Sequence, residues 1–259
     1  MESKNFLTRL FGIVLYPAIA IILLCVSWYL LTIPLDGFLP TPLLVVKDFI
    51  KDIRNPDTYL DVWLTTRRIL IGFVGSVILG TTIGMLMGIR KTSEFFFLPW
   101  VVIGLSIPGP VYILMSILIL GIKESSTMVA LIASVTPYVT TIIFQGVRAI
   151  DPKLTEMGRL YKAPPTQYLK DVIFPQVTPY LLAGIRTSFA MSWKLVVIIE
   201  SMSSSRGIGA QIKHYFQVLE PAQVFAFTFM FTIIMVLIEL VFFKQLEKYL
   251  LRWRTVVHL

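Results

Sequence analysis

Long apolar runs alternate with short charged segments along the whole chain. The first run, from Leu10 to Leu35, contains no charged residue and exceeds the apolar core of a signal peptide, so it predicts a retained first membrane span. The pattern as a whole predicts an all-α membrane protein with a single transmembrane domain over residues 1–259. Its six predicted spans cover about residues 10–33, 69–89, 95–122, 128–147, 180–200 and 222–243.

The composition agrees with a polytopic membrane protein. Of the 259 residues 56% are hydrophobic and the mean hydropathy is +0.79, which lies outside the range of soluble domains with a polar surface. A net charge of +8 would suggest nucleic-acid binding in a soluble protein. Here the Lys and Arg residues lie between apolar runs and form no basic patch interleaved with aromatic residues, so we expect a lipid bilayer and no nucleic acid.

The distribution of positive charge predicts the orientation of the spans. If both termini are cytoplasmic, thirteen of the 23 Lys and Arg residues lie in cytoplasmic segments and eight in outer segments. This bias follows the positive-inside rule. The segment at residues 150–179 is then cytoplasmic, and residues 201–221 form an outer loop.

Several kinds of site are disfavoured by the residue types present. The single Cys25 lies in an apolar run and excludes an intrachain disulfide, and His214 and His258 are too far apart in sequence to suggest a metal cluster. The chain has no Gly-x-x-x-x-Gly-Lys-Ser/Thr phosphate loop, so we expect no nucleotide, cofactor, metal or catalytic residue in it. Gly207-Ile208-Gly209 lacks the strand, helix and third glycine of a dinucleotide site and predicts a turn.

Glycine and proline punctuate the second and third spans. Gly80, Gly84 and Gly88, spaced four residues apart, predict the close approach of another helix. Ser106-Ile107-Pro108-Gly109-Pro110 interrupts the third span, and prolines there free backbone groups that only protein or a water-lined cavity can satisfy. We expect this break in the bundle interior beside the translocation path; a simple packing kink is the alternative.

The segment from Leu43 to Ile53 alternates apolar and charged positions at helical spacing. It predicts an amphipathic helix that lies at the outer interface or against the bundle. A plain loop with a fortuitous pattern is the alternative.

Charged residues occur in or at the edge of the fifth span, where they are costly and therefore suggest function. We hypothesise that Lys194 faces the path and favours an anionic solute; the alternative is that it snorkels or pairs with another span, for example through Glu239. Direct pairing of Lys194 with Glu200 is awkward because the two point about 120° apart on one helix. The predicted path residues are Ser106, Pro108, Pro110, Ser188, Trp193, Lys194 and Glu200.

The segment from Asp151 to Pro179 is the longest interval without a spanning pattern, and it carries seven charged residues. Leu154, Met157, Leu160 and Tyr161 recur in it at helical spacing and predict a short amphipathic helix. Such an apolar face requires a partner.

This segment also carries a resemblance to a known family. Glu156-Met157-Gly158, followed by Val172-Ile173-Phe174-Pro175, resembles the cytoplasmic loop of ABC importer permeases, whose pattern is Glu-Ala-Ala, a Gly six residues after the Glu, and Ile-x-Leu-Pro. Met157 and Gly158 replace the two alanines, and Lys162 stands where the glycine belongs.

The resemblance extends over about two hundred residues to the permeases for nitrate, taurine, alkanesulfonates and similar small solutes. The residues that carry it are Leu39-Pro40-Thr41-Pro42, Arg68, Gly72-Phe73, Ile107-Pro108, Gly121-Ile122, Glu124-Ser125, Pro137, Gly146-Val147-Arg148, Asp151, Pro175, Pro179, Gly184-Ile185-Arg186, Trp193, Glu200, Gly207-Ile208-Gly209 and Leu251-Arg252-Trp253.

The resemblance implies the permease of a type I ABC importer with cytoplasmic coupling helices, located in the bacterial inner membrane. It implies two permease copies, two ATPase subunits that bind ATP and Mg, and an extracytoplasmic solute-binding protein. The solute is expected to be a small anion such as nitrate, a sulfonate or bicarbonate; a neutral or cationic vitamin precursor is the alternative. The residues implied to contact the ATPase are Glu156, Met157, Gly158, Arg159, Leu160, Tyr161, Lys162 and Ala163.

Two other classes of membrane protein fit the sequence less well. A membrane-embedded enzyme needs a converging nucleophile and base or metal ligands, yet no His lies in a predicted span and no paired Asp motif occurs. A secondary transporter commonly has an internal repeat, which this sequence lacks, and needs no charged docking loop.

Overall fold

All regular secondary structure in the described part of the chain is helical, as the hydropathy pattern predicts. The computed structural model describes residues 2–35 and 38–250, with no side-chain description for residues 2–14, 17, 159 and 165. The helices are α1 (Glu2–Thr32), α2 (Pro42–Ile53), α3 (Pro56–Ile89), α4 (Lys91–Ser106), α5 (Gly109–Leu120), α6 (Glu124–Arg148), α7 (Pro152–Leu160), α8 (Pro165–Gln167), a π-helical turn (Tyr168–Ile173), α9 (Phe174–Ser203), α10 (Ile208–Gln217), α11 (Pro221–Ile238), a second π-helical turn (Glu239–Phe243) and α12 (Lys244–Leu250).

Four helical stretches in the described residues are long and apolar enough to cross a membrane. They are Pro56–Ile89, Glu124–Arg148, Tyr168–Ser203 and Pro221–Leu250. Helices α4 and α5 make a fifth if the bent pair forms one span. The apolar part of α1 with described side chains, Ala18–Thr32, is shorter than these. Six spans therefore stay a prediction.

The structure divides into two compact units. Unit 1 contains Met1–Tyr59 and Ile212–Met230, and unit 2 contains Leu60–Gln211 and Phe231–Leu259, within the described residues. The prediction of a single domain is not decided by this division. The Leu251-Arg252-Trp253 motif, part of the resemblance to the permeases, lies outside the described residues.

In unit 1, α2 is the amphipathic helix that the sequence predicts at Leu43–Ile53. Thr41 is its N-cap: the backbone N–H of Leu44 donates to Thr41 Oγ1 at 3.4 Å, and Pro42 follows at the first helical position. Elsewhere in unit 1 the Trp28 ring packs on Phe225 and Phe229, with ring centroids 5.6 and 5.7 Å away.

In unit 2, the central helix α6 packs against α4, α5 and α9. The glycines of α3 also contact it, as their spacing predicts. A Cβ on Gly80 would lie 2.6 Å from Val139 Cβ, and one on Gly84 would lie 2.9 Å from Ile143 Cβ. Only glycine allows this separation, so the predicted close helix approach is confirmed.

The break in the third predicted span is sharper than a kink. Helices α4 and α5 are bent by 103° around Ile107 and Pro108, which both have extended backbone. Proline disfavours helical geometry in the residue before it, which explains why α4 ends at this point. The break lies against α9, because a Cβ on Gly109 would lie 2.6 Å from Leu195 Cδ2.

Two spans begin earlier than the sequence pattern predicts. Helix α3 begins at Pro56, where Asn55 Oδ1 accepts a hydrogen bond from Asp57 N–H at 3.1 Å, and not near Ile69. Its charged first turns resemble a loop in sequence. The fifth span is helical from Tyr168, twelve residues before its predicted start. Its π-helical turn, in which Phe174 N–H bonds the carbonyl of Leu169, precedes a proline that cannot donate a backbone hydrogen bond.

Candidate functional site

The candidate coupling surface is α7, inside the predicted cytoplasmic segment. Asp151 caps this helix by accepting a hydrogen bond from the backbone N–H of Lys153 at 2.8 Å, and Pro152 occupies the first helical position. The backbone N–H of Asp151 in turn donates to Gln176 Oε1 at 2.8 Å. This bond fastens the start of α7 to α9.

The apolar face predicted for this helix is uncovered. Leu154, Met157, Leu160 and Tyr161 are 41% to 82% exposed. Four large apolar side chains on a short helix and the turn that follows it form a patch that monomeric proteins seldom expose without a partner. Glu156 lies beside them, is exposed, and makes no ion pair with any side chain that the structure describes.

Gly158 and Lys162 shape the end of this helix. A Cβ on Gly158 would lie 2.7 Å from Tyr168 Cδ2, so glycine allows α7 to rest on that ring. Lys162 has a φ of +48° and Ala163 N–H donates to the Gly158 carbonyl at 3.1 Å, which is the geometry of a left-handed helix C-cap. The family motif has glycine where this chain has Lys162, and the left-handed backbone supplies the physical reason.

The contact residues predicted for an ATPase therefore lie on one short element and the turn that follows it. The side chain of Arg159 lies outside the described part of the chain, so its pairing with Glu156 stays a prediction.

A second constellation is a buried polar network around Glu200, whose side chain is 0% exposed. Arg68 Nη1 lies 2.6 Å from Glu200 Oε1. Glu200 Oε2 accepts hydrogen bonds from the Thr65 hydroxyl at 2.9 Å and the Gly209 N–H at 3.0 Å. The charge is thereby paired and both oxygens are occupied, as a buried carboxylate requires.

The network extends to residues 206–211, a segment that leads into α10 and includes its first turn. Arg68 Nη1 also donates to the Arg206 carbonyl at 2.8 Å, and Ile208 N–H donates to Thr65 Oγ1 at 2.9 Å. Asp61 accepts from Gly207 N–H at 3.0 Å and from the Gln211 side chain at 2.8 Å. The segment is thus fastened to α3 and α9 by buried hydrogen bonds.

Gly207 forms a bend, as predicted for Gly207-Ile208-Gly209, whereas Ile208 and Gly209 already belong to α10. The φ of Gly207 is +122°, and a Cβ there would lie 2.7 Å from Glu200 Oε2 and 2.8 Å from Arg68 Nη1. A side chain at this position is excluded by both the backbone conformation and the network.

Glu124, at the start of α6, joins the same end of unit 2. It pairs with Arg67 and lies 3.4 Å from Arg68 Nε. The resemblance to the permeases singles out Arg68, Glu124 and Glu200, and the structure brings them together. The sequence pattern does not reveal Asp61 and Thr65, because their partners lie more than 130 residues away in sequence.

The residues predicted to line the path fall into two groups. Ser106, Pro108 and Pro110 are exposed at the break, and Lys194 is exposed on α9. The remaining three are more enclosed: Trp193, Ser188 and Glu200.

Two of these predictions need correction. Ser188 is buried and shares a 2.8 Å hydrogen bond with Ser76. Glu200 is occupied by Arg68, Thr65 and Gly209. Neither side chain faces an open surface, because both polar groups are satisfied inside unit 2.

Lys194 is exposed on α9 and lies beside an aromatic side chain. Its Nζ lies 5.7 Å from the centroid of the Trp193 ring, and Trp193 itself packs on Phe231 with centroids 5.8 Å apart. Glu239, the partner named in the alternative, pairs with Arg186, whose Nη2 lies 3.1 Å from Glu239 Oε1. Lys194 makes no ion pair within the described residues.

Comparison with known proteins identifies relatives of the chain. Residues 80–250 match the family model described as binding-protein-dependent transport system inner membrane component. The chain is 32% identical over 218 residues to SsuC of Bacillus subtilis (strain 168), which is named for the transport of aliphatic sulfonates; the match covers 83% of this chain and 78% of SsuC.

Two further relatives are also named as permeases. The nitrate import permease protein NrtB of Synechocystis sp. is 26% identical over 208 residues, covering 76% of this chain and 74% of NrtB. The taurine transport system permease protein TauC of Escherichia coli (strain K12) is 25% identical over 240 residues, covering 90% and 86%.

Solved structures share the fold at lower sequence identity. A chain of the MetNI methionine ABC transporter in an inward-facing conformation superposes with a TM-score of 0.64 at 17% identity, covering 74% of this chain and 95% of that one. A chain of an amino acid ABC transporter gives a TM-score of 0.59 at 19% identity, covering 80% and 94%. The chain therefore shares its fold with chains of these two ABC transporters.

Proposed function

Because the chain belongs to the binding-protein-dependent transport system inner membrane component family and is the permease component of an ABC importer, we propose that it moves a small anionic solute into the cell by alternating access. Two copies of the chain form the pathway in the manner of type I importers. Two partner ATPases bind ATP and Mg on the cytoplasmic side, where both termini of the chain lie, and a solute-binding protein delivers the solute on the other side.

The observation that carries the ATPase contact is the uncovered apolar face of α7. A cleft in the ATPase would bury Leu160 and Tyr161, the two most exposed of its apolar side chains, and burial of such groups stabilises a complex by roughly 1.5–3 kcal/mol each. Glu156 and Arg159 at its edge would orient the helix in the cleft through charge pairing.

The attachment of α7 explains how a movement of the ATPases reaches the membrane. Asp151 is bonded to Gln176, and Gly158 lies on Tyr168, so a displacement of α7 acts directly on the helix from Tyr168 to Ser203. A continuous helix of that length extends about 54 Å, from the coupling surface to the Glu200 network. We propose that this helix is the lever that links ATP-driven closure to the opposite end of unit 2.

Copurification tests the contact. Leu160→Asp places a charge on the apolar face and is expected to abolish recovery of the ATPase with the permease. Leu43→Asp is the matched control, because Leu43 is equally exposed (81% against 82%) but lies on α2, on the predicted outer side. Equal recovery of the ATPase with both variants would refute the α7 contact.

An anionic solute is supported by the names of the relatives and by the position of Lys194. SsuC, NrtB and TauC are named for aliphatic sulfonates, nitrate and taurine, each of which carries an anionic group. Lys194 is an exposed cation without an ion-pair partner among the described residues, one residue away from Leu195, which packs on the break between α4 and α5. We propose that Lys194 faces the path and attracts the anion.

Uptake measurements in proteoliposomes that contain the permease, its ATPase and its binding protein test this role. Lys194→Met is expected to reduce uptake of an anionic sulfonate about tenfold, with ATPase recovery unchanged. Lys213→Met removes an exposed cation elsewhere and is expected to leave uptake unaltered. Normal uptake and anion preference in Lys194→Met would eliminate Lys194 from the mechanism without affecting the assignment to ABC permeases.

A further inference from the structure

A cavity of about 490 Å³ in unit 1 has no role in the coupling or the path described above. The segment before α2, one face of α2 and the first turn of α11 form it. Both chain segments are predicted to be on the outer side of the membrane, one before the second span and one before the last. We call this cavity the outer notch; its polar lining residues are Thr41, Asp48, Lys51, Glu220 and Gln223.

The polar groups of the outer notch have an excess of hydrogen-bond acceptors. Asp48 and Glu220 contribute two carboxylates, and Lys51 contributes one ammonium group that forms no ion pair with either of them in the described structure. Gln223 is only 6% exposed, yet its Oε1 is buried and has no hydrogen-bond partner among the residues that the structure describes. A buried acceptor without a donor is energetically unfavourable, and a donor that reached it would remove that penalty.

The rest of the lining is apolar. It consists of Leu39, Pro40, Leu44, Pro221 and Ala222. An aliphatic surface next to clustered acceptors matches the two parts of a long basic side chain, whose methylenes pack on apolar groups while the cationic head takes the hydrogen bonds. A small inorganic cation would leave the apolar wall uncovered, and an anion would face two carboxylates.

We propose that the outer notch receives a lysine or arginine side chain of the solute-binding protein and so positions that protein on the permease. This inference rests on the proposed function, which places a binding protein on the same side of the membrane. Asp48 and Glu220 pair with the cationic head, Gln223 accepts one of its hydrogen bonds, and Leu44 and Pro221 pack on its stem.

The test uses the permease–ATPase complex in lipid nanodiscs and the binding protein encoded beside it. Neutralising both carboxylates with Asp48→Asn and Glu220→Gln is expected to weaken binding of that protein at least tenfold. The salt dependence of its affinity is also expected to become shallower, because a charge pair is lost. Asp57→Asn, which removes an exposed carboxylate of unit 1 outside the notch, is the matched control and is expected to change the affinity less than twofold.

A charge swap supplies the second arm of the experiment. Glu220→Lys is expected to abolish binding, and one Lys→Glu or Arg→Glu variant of the binding protein is expected to restore it. Basal ATP hydrolysis by the complex verifies that each variant is folded and assembled.

The outcomes separate the two proposals. If the binding protein stimulates ATP hydrolysis and binds the doubly neutralised variant as tightly as the wild type, the notch is not its contact site, while the importer function stands. If no binding protein binds or stimulates the wild-type complex, the proposed function fails, and this inference fails with it.

Discussion

Removing one partner of the buried Arg68–Glu200 pair should destabilise the protein far more than removing both. Arg68→Met leaves the Glu200 carboxylate, 0% exposed, with only the neutral donors of Thr65 and Gly209. An uncompensated charge of this kind costs about 3–5 kcal/mol. Glu200→Met is expected to cost about 3 kcal/mol, because Glu124 lies 3.4 Å from Arg68 Nε and compensates part of the remaining charge.

The double variant carries neither charge, so only the lost hydrogen bonds remain. The Thr65 hydroxyl, the Gly209 N–H and the Arg206 carbonyl each lose a partner, at roughly 1 kcal/mol apiece. The double variant is therefore expected to lose about 3 kcal/mol against about 7 kcal/mol for the sum of the single changes. The coupling energy is then about 4 kcal/mol.

Urea unfolding in detergent micelles, followed by the fluorescence of the five Trp residues, measures these differences. A double-mutant cycle on the Glu94–Arg148 ion pair is the control, since its charges are also in close contact, at 2.9 Å, but Arg148 is 56% exposed. Its coupling energy should stay below about 1 kcal/mol. If the double variant at Arg68 and Glu200 loses the sum of the two single losses, the reasoning about a desolvated charge pair is refuted.

Three further changes have defined expected outcomes. Gly158→Ala forces a methyl group toward the Tyr168 ring and should lower ATPase recovery in copurification, whereas the double variant with Tyr168→Ala should restore it. Equal ATPase recovery with the wild type, the single variant and the double variant would contradict the contact between Gly158 and the Tyr168 ring. Lys162→Gly removes a side chain from a left-handed backbone position and should stabilise the protein by about 1 kcal/mol in urea unfolding. A variant less stable than the wild type would contradict the inference that the backbone of Lys162 is strained. Burial and the neighbouring Asp48 raise the pKa of Asp52 from 3.8 to about 6. Folding therefore favours the protonated form, and stability is lost as the pH rises through 6. The Tm of Asp52→Asn should accordingly equal that of the wild type near pH 4 and exceed it by several degrees at pH 7, where the gain in unfolding free energy is at most about 3 kcal/mol. A Tm difference that stays constant with pH would contradict the raised pKa of Asp52.

The features that the sequence predicts well are those with local physical causes. Gly80 and Gly84 permit only a close helix contact, and the contact with α6 is present. Pro108 cannot continue a helix, and α4 and α5 separate at that residue. Leu154 and Met157, three residues apart, fall on one face by helical periodicity alone, and the structure leaves that face uncovered.

The features that the sequence obscures depend on distant partners. Asp61 and Arg68 resemble loop residues because they are charged, yet they lie inside a helix and are satisfied by the Gly207–Gly209 segment and Glu200. Glu200 resembles a path residue because it is a lone carboxylate near the end of a span. Its assignment changes only when Arg68, 132 residues away, is placed beside it.

The most direct test of the central claim is uptake into proteoliposomes of known orientation. With the partner ATPase and binding protein present, labelled solute should accumulate only when ATP is supplied on the side of residues 150–179, and Leu160→Asp should abolish accumulation. Accumulation by this chain alone without nucleotide, or with ATP effective only from the opposite side, would contradict the account.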